Sequence, residues 1–307
     1  MRAPLLGVVT VTYNSAPFLR EFMRSCAAQT SENYRVYCID NSSSDDTSSI
    51  LRGIQHERWR VTMNERNVGV AAGNNQGIMQ ALIDGCEWIL LLNNDTNFDE
   101  SFFETIMTAC VAQGWLAAVP KILYDIPVGH IWYGGGGFSL WKGYTGYHRA
   151  IGSLDVGQCD VACSVDYAPT CAMLVHRELF AQVGLMDETY FVYFDDTDFC
   201  WRLKAAGVTL GYCPSATIVH KVGGSTGGTK STFSARYISR NRMYFLRKHF
   251  GSIVAWAWSP IFITFYVIRY VTRWWDYPCL KASLEGTFSC SSLRPRIPAA
   301  PIGPAQS

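Results

Sequence analysis

The chain has 307 residues, 49% of them hydrophobic, and a formal net charge of +1 at pH 7. That length holds one large α/β domain with an appendage, and the near balance of charge argues against a nucleic-acid partner, which would call for a basic excess. Eleven scattered cysteines show no zinc-like spacing and read as reduced thiols in a core rather than as a disulfide framework.

An apolar run at residues 5–12 is too short for a secretory leader and lacks a cleavage pattern. It reads as a first buried strand, with the chain expected inside the cell. Strands are predicted at 5–12, 34–39, 60–63 and 88–92, and helices at 16–28, 47–52 and 71–84. This β-α-β-α rhythm predicts an α/β fold, a Rossmann-like, mostly parallel sheet with helices on both faces. A further helix is predicted at 98–110. Residues 121–161, rich in Gly and aromatics, read as loops or a short β-excursion. The glycines at 134–137 are not a phosphate loop, because no Gly-Lys-Ser/Thr follows them.

A second ordered block at 165–220 leads to a Gly-rich loop, a basic helix and an aromatic tail. The apolar stretch 253–270, followed by Arg273, Trp274 and Trp275, is near the minimum length for a membrane span. Its Trp and Tyr beside cations fit a segment lying in the membrane interface. A crossing helix, or a soluble helix packed on the core or on a dimer partner, are the alternatives. Residues 291–307, rich in Pro, Ala and Ser, are expected to be disordered. The expected division is thus 1–250 main domain, 251–290 helical appendage and 291–307 tail.

Sheets of this kind bind ligands at the carboxyl ends of their strands. Four strands here are each followed by polar residues: Thr12-Tyr13-Asn14-Ser15, Asp40 to Thr47, Asn67 to Asn75, and Asn93-Asn94-Asp95. One such loop is ordinary cap and turn chemistry; four at one edge point to a site. Asp95 ends a buried strand, and carboxylate oxygen suits magnesium or manganese. Asp195-Asp196-Thr197-Asp198 opens a helix after Tyr193-Phe194, where the helix N-terminus favours negative charge. One carboxylate can cap the helix while its neighbour serves as a base. Asp198, four residues before Arg202, reads as a helix ion pair. His220 ends the apolar run 216–219 and opens the loop with Gly223, Gly224 and Ser225; its position fits a metal ligand or a phosphate contact.

Taken in order and spacing, these pieces resemble the family 2 glycosyltransferases of the GT-A fold, particularly the rhamnosyltransferase-like branch, over residues 5–250. The resemblance rests on Val9-Thr10-Val11-Thr12-Tyr13-Asn14, Ile39-Asp40-Asn41-Ser42-Ser43, Asn67-Val68-Gly69, Leu92-Asn93-Asn94-Asp95, Phe194 to Arg202, His220, and Arg240-Asn241-Arg242. It implies inverting transfer of a sugar, rhamnose among the candidates, from a UDP- or dTDP-sugar. The implied acceptor is a hydroxyl of a glycan or polyprenyl-linked glycan, in cell-surface polysaccharide synthesis at the inner face of the membrane.

The resemblance also implies roles. Asp40 would contact the nucleoside, with Thr12 and Asn14 nearby, and Asn67, Gly69 and Asn74 would shape the floor around ribose and diphosphate. Asn93-Asn94-Asp95 would be the D-x-D element, with Asn94 at the donor and Asp95 and His220 on Mn2+ or Mg2+. Asp196 would be the catalytic base, and Asp195, Trp201 and Arg202 would face the acceptor. Two positions depart from the family pattern: Asn93 replaces the first D-x-D aspartate, and Asp195 replaces a glutamate. A nucleotidyltransferase is the rival enzyme, although the first loop carries no Lys for a triphosphate. A carbohydrate-binding module would explain the aromatics but not Asp95 together with Asp196. A homodimer is left open.

Overall fold

The computed structural model describes residues 5–221 and 231–301. The first half runs β1 (Leu6–Thr12), α1 (Ala16–Ala27), β2 (Tyr34–Asp40), α2 (Thr47–Arg52), β3 (Trp59–Met63), α3 (Val70–Ile83) and β4 (Trp88–Leu92). Then come β5 (Thr96–Phe98), α4 (Phe102–Ala112), β6 (Ala117–Tyr124), β7 (Ile131–Tyr133), β8 (Gly136–Ser139), β9 (Thr145–His148), β10 (Cys163–Val165) and β11 (Ala172–His176). The chain continues through α5 (Arg177–Val183), α6 (Asp195–Ala205), β12 (Leu210–His220), α7 (Thr232–Phe250), α8 (Ser252–Val271) and α9 (Tyr277–Phe288).

One sheet carries the strand order β10-β12-β6-β11-β4-β1-β2-β3, with β5 added to β12 and β7 to β6. β4, β1, β2 and β3 run parallel, β12 and β6 run parallel, and β11 is the antiparallel strand between the two halves. Both faces of β1 are covered. Leu6 and Val8 are buried on one side, while Gly7, Val9 and Val11 meet α3 on the other. The approach of α3 is unusually close because Gly73 and Gly77 face the sheet. A Cβ on them would fall 2.9 Å from Val11 Cγ1 and 2.5 Å from Val9 Cγ1.

The seven predicted elements of the first half are present to within a residue or so at each end. The helix predicted from residue 98 begins instead at Phe102. Phe98 is strand, paired opposite Ile218 of β12. The excursion at 121–161 contains a two-stranded hairpin, β8–β9, outside the main sheet. All eleven cysteines are free thiols.

The C-terminal helices pack on α7 and on the chain entering α6. Residues of α7, α8 and α9, among them Tyr244, Phe262 and Leu280, share one core with Tyr190 and Phe194, which precede and open α6. Part of the segment from residue 291, expected to be disordered, makes backbone hydrogen bonds with the main domain. Leu185 N donates to Pro298 O at 3.1 Å and Glu188 N to Arg296 O at 2.9 Å, so this extended segment has its backbone taken up by the chain leading into α6.

Candidate active site

Parallel pairing sets the ends of β1, β2 and β4 side by side. The loops leaving them form one hydrogen-bonded rim. Asp40 accepts from Thr12 Oγ1 at 2.9 Å, Ser43 N at 3.1 Å and Ser43 Oγ at 2.5 Å. Asn14 Oδ1 accepts from Ser44 N at 2.8 Å. Asn14 and Ser42 both hold positive φ (51° and 62°), a conformation most side chains avoid and one that clusters at functional sites. Asp40 and Thr12 are wholly buried, and the Asp40 carboxylate orders Ser43 and Thr12 beneath the rim where the nucleoside contact is expected. Tyr13 and Asn14 are the more open groups at this edge.

Two other expected donor residues are likewise turned inward. Asn94 is 7% exposed and donates its amide to Val11 O at 2.6 Å, tying β4 to β1. Asn74 sits on the buried side of α3, its amide 3.7 Å from Met186 Sδ. Asn67 does shape the third loop. Its Oδ1 accepts from Gly69 N at 2.9 Å, and Gly69, at φ 90°, lets Val70 N reach Phe191 O at 2.7 Å. A Cβ on Gly69 would fall 2.5 Å from that carbonyl oxygen.

Asp95 and His220 meet because β5 pairs antiparallel with β12, placing His220 opposite Thr96. Lys221 N donates to Asp95 O at 2.9 Å and seals the junction. His220 Nε2 stands 3.2 Å from Asp95 Oδ1. The buried atoms Asp95 Oδ1 and His220 Nδ1 make no hydrogen bond, a costly state for buried polar atoms. Oxygen from a carboxylate with imidazole nitrogen is a donor set that manganese or magnesium accepts. Among the described residues no group of three or more His, Cys, Asp or Glu gathers around them, so substrate oxygens would have to complete a coordination shell. The Gly223–Ser225 loop lies outside the described residues.

The second carboxylate group sits at the start of α6. Tyr193 and Phe194 both adopt left-handed φ (63° and 68°) and throw the chain into the helix. The turn is held by α7: Asn241 Nδ2 donates to Val192 O at 2.7 Å and Tyr193 O at 2.8 Å. Asp196 receives Tyr167 Oη on Oδ2 at 2.8 Å, and Thr197 N and Oγ1 on Oδ1 at 2.6 and 3.1 Å. Burial raises its pKa, opposed by the Tyr167 and Thr197 hydrogen bonds. Asp195 is pushed up to about 8, by burial first and by the Asp196 charge second. Both carboxyls are raised by burial, and the hydrogen bonds from Tyr167 and Thr197 favour the charge on Asp196 over Asp195.

Asp198 and Arg202 are structural. Burial opposes the Asp198 charge, but a hydrogen bond with His249 and the charges of Arg202, Lys248 and His249 outweigh it and hold the carboxyl far below its ordinary range. Arg202 Nε reaches Asp198 at 2.9 Å, and its other nitrogens reach Val183 O at 2.5 Å and Leu185 O at 2.8 Å. The guanidinium expected at the acceptor is thus engaged by Asp198 and by backbone carbonyls. Trp201, also expected at the acceptor, lies in an aromatic cluster. It packs among Phe138, Tyr144 and Phe250, with ring centroids 5.0, 5.8 and 5.0 Å away.

Cys171 joins the two carboxylate sites. Its thiol is raised well above the usual range, by burial first and then by the charges of Asp95 and Asp196, and its carbonyl accepts from Asn93 N at 2.9 Å.

Residues 7–184 match Glycosyl transferase family 2. The chain belongs to this family. It is 26% identical over 281 residues to the N-acetylglucosaminyl-diphospho-decaprenol L-rhamnosyltransferase of Mycobacterium tuberculosis, covering 84% of this chain and 88% of that one. It is 25% identical over 215 residues to the dTDP-rhamnosyl transferase RfbF of Shigella flexneri, covering 70% and 68%. The fold is that of GT-A enzymes. The crystal structure of GalNAc-T7 with UDP, GalNAc and Mn2+ superposes at TM-score 0.61 and 15% identity, over 79% of this chain but only 50% of that one. S. aureus TarS 1–349 in complex with UDP superposes at TM-score 0.52 and 15% identity, over 80% and 70%.

Three groups in this family 2 glycosyltransferase escaped the sequence reading. Asn241 lay inside the Arg240-Asn241-Arg242 motif, but nothing there said which carbonyls it would hold. Asn75 pins the chain before α6 from α3, donating to Met186 O and accepting from Met186 N, both at 2.9 Å. Tyr167 had no local signal at all; its partner is 29 residues further on.

Proposed function

We propose that this family 2 glycosyltransferase transfers a single sugar, of the rhamnosyl class, with inversion from a dTDP- or UDP-sugar to a hydroxyl of a polyprenyl-linked glycan. The observation that carries the reading is the presence in one buried fold of two acidic pairs, Asp95 with His220 where β5 meets β12, and Asp195 with Asp196 at the start of α6. One pair suits the leaving diphosphate and the other the attacking hydroxyl. The choice of sugar and acceptor is supported by the rhamnosyl transfer named in both relatives and the decaprenol named in one.

In a single displacement the acceptor oxygen attacks the anomeric carbon from the face opposite the diphosphate. A C–O bond forms, the bond to the nucleoside diphosphate breaks, and the hydroxyl proton passes to Asp196. Asp196 is ready because Tyr167 and Thr197 favour its ionised form. Asp195, holding a proton, adds no second negative charge beside the incoming oxygen. Asp95 and His220 would hold Mn2+ or Mg2+, which neutralises charge growing on the leaving phosphate. The Asn14, Ser42 and Asn67 loops form the rim on which the nucleoside would lie. Polyprenyl-linked acceptors would place the enzyme at the inner face of the membrane.

The deciding experiment incubates the protein and Mn2+ with dTDP-rhamnose and UDP-hexoses and a short-chain prenyl-diphosphate glycan. We expect release of nucleoside diphosphate and a product whose anomeric configuration, read by NMR, is opposite to that of the donor. Retention of configuration would remove the single displacement, and absence of nucleotide binding would remove the reading as a whole.

A further inference from the structure

α8 has a narrow inner face and a broad outer one. Ala255, Ser259, Phe262 and Tyr266 form a buried stripe against the rest of the helical layer. Arg242 of α7 lies over the Phe262 ring at 4.8 Å and reaches Tyr266 Oη at 3.4 Å. The opposite side presents Ile253, Trp256, Ile261, Phe265, Ile268 and Val271 to solvent, with Ile253 at 89% exposure. A helix on the surface of a water-soluble domain would carry polar residues there, and a contiguous apolar surface marks an interaction site.

The hairpin β8–β9 extends this surface. Its tip, the 3-10 turn Leu140–Lys142, exposes Leu140 and, at 92%, Trp141. The tip abuts α8, since a Cβ on Gly143 would fall 2.5 Å from the Phe262 ring.

We propose that the outer face of α8 and the hairpin tip dock on the surface of an anionic lipid bilayer. From Ser252 to Trp275 the chain has no Asp or Glu; its charges are Arg269 and Arg273. Lys142 stands beside Trp141. Cations with Trp and Tyr bordering an apolar stripe complement anionic headgroups above an acyl layer. A second copy of the same face would bring no carboxylate to meet those cations.

A crossing helix would have to give up this packing. The buried stripe keeps α8 lying along the domain, and the Arg242 guanidinium is applied directly to it. Docking would also connect to the site. Phe138 of the same hairpin packs on Tyr167 at 5.9 Å, and Tyr167 donates to Asp196. The lipid-facing tip is thus linked to Asp196 through Phe138 and Tyr167, which suits an acceptor anchored in the membrane.

The test uses the full chain, without nucleotide sugar, and vesicles of phosphatidylcholine with and without phosphatidylglycerol. We expect co-sedimentation that increases with phosphatidylglycerol and weakens with salt. The double variant Ile261→Glu/Ile268→Glu should lose at least about tenfold in partitioning, since it places charge on an inserted face. Trp141→Ser should lose several-fold, with UDP affinity and thermal unfolding of all variants at parent values. A parent protein that stays in the supernatant overturns the proposal, as does a double variant that binds like the parent. A lipid-free dimer that the double variant dissociates, without vesicle binding by the parent, would assign the face to a second copy. Because no sugar transfer is read, failure here is separable from failure of the proposed reaction.

Discussion

Tyr167 Oη donates to Asp196 Oδ2 at 2.8 Å from a buried position behind the β8–β9 hairpin. Burial, and then the Asp196 charge, hold the phenol pKa well above its ordinary value, so the tyrosine remains a donor throughout the working pH range. It stabilises the ionised carboxylate without being able to take its proton.

Tyr167→Phe should therefore raise the pKa of Asp196. A hydrogen bond to a charged group contributes about 1.5–3 kcal/mol, and each pKa unit is about 1.4 kcal/mol. The acidic limb of the kcat/KM profile should move up by about one to two units. Nucleoside diphosphate affinity should be unchanged. An acidic limb that does not move would detach Tyr167 from the base.

The two adjacent carboxyls should respond differently to amidation. Asp196→Asn should lower kcat by about 10²–10⁴, the contribution of a positioned base. Asp195→Asn imitates the protonated acid already present and should stay within about tenfold of the parent. A reversed order of activities would exchange their roles. Stability gives an independent check. The folded chain holds the Asp195 proton up to about 8, against an ordinary value of 3.8. This carboxyl's contribution to stability is therefore fully present below pH 3.8 and is lost as pH rises through about 8. The denaturation midpoint of Asp195→Asn relative to the parent should climb between those limits. A flat difference would show that Asp195 is not buried as an acid.

Asp95→Ala and His220→Ala should each abolish the tightening of UDP binding by Mn2+ in calorimetry while leaving the metal-free affinity in place. The reason is that the two side chains stand together, 3.2 Å apart, with Asp95 Oδ1 and His220 Nδ1 buried and making no hydrogen bond. If Mn2+ still tightens UDP binding to Asp95→Ala, the metal is held elsewhere.

Asp198→Ala should cost stability rather than chemistry. The carboxylate is wholly buried and meets Arg202 at 2.9 Å, Lys248 at 2.6 Å and His249 at 2.8 Å. Removing one member of a buried charge network leaves the others uncompensated, at a cost of about 3–5 kcal/mol. Urea unfolding measures this directly. A change below about 1 kcal/mol would place the network in solvent-like surroundings.

Local pattern was enough for part of this protein. The alternation of strands and helices follows from periods of two and 3.6 residues, so β1 to β4 and the helices between them were legible. Asp95 was legible because an apolar strand delivers it to the sheet edge, and the Asp198–Arg202 pair because four residues make one helical turn. The direction of the polar side chains was not. Asp40, Asn74, Asn94 and Arg202 look in sequence like ligand-facing groups. They turn inward because Thr12, Met186, Val11 and the carbonyls at 183–185, distant in the chain, satisfy them. The meeting of Asp95 with His220 required the β5–β12 pairing, and Tyr167 reached Asp196 only through the folding of the hairpin region onto α6. Residues 291–300 are ordered for the same reason. Composition described a chain with little apolar surface to bury, whereas its backbone groups found partners in the segment at 185–189, which only the assembled core holds in place.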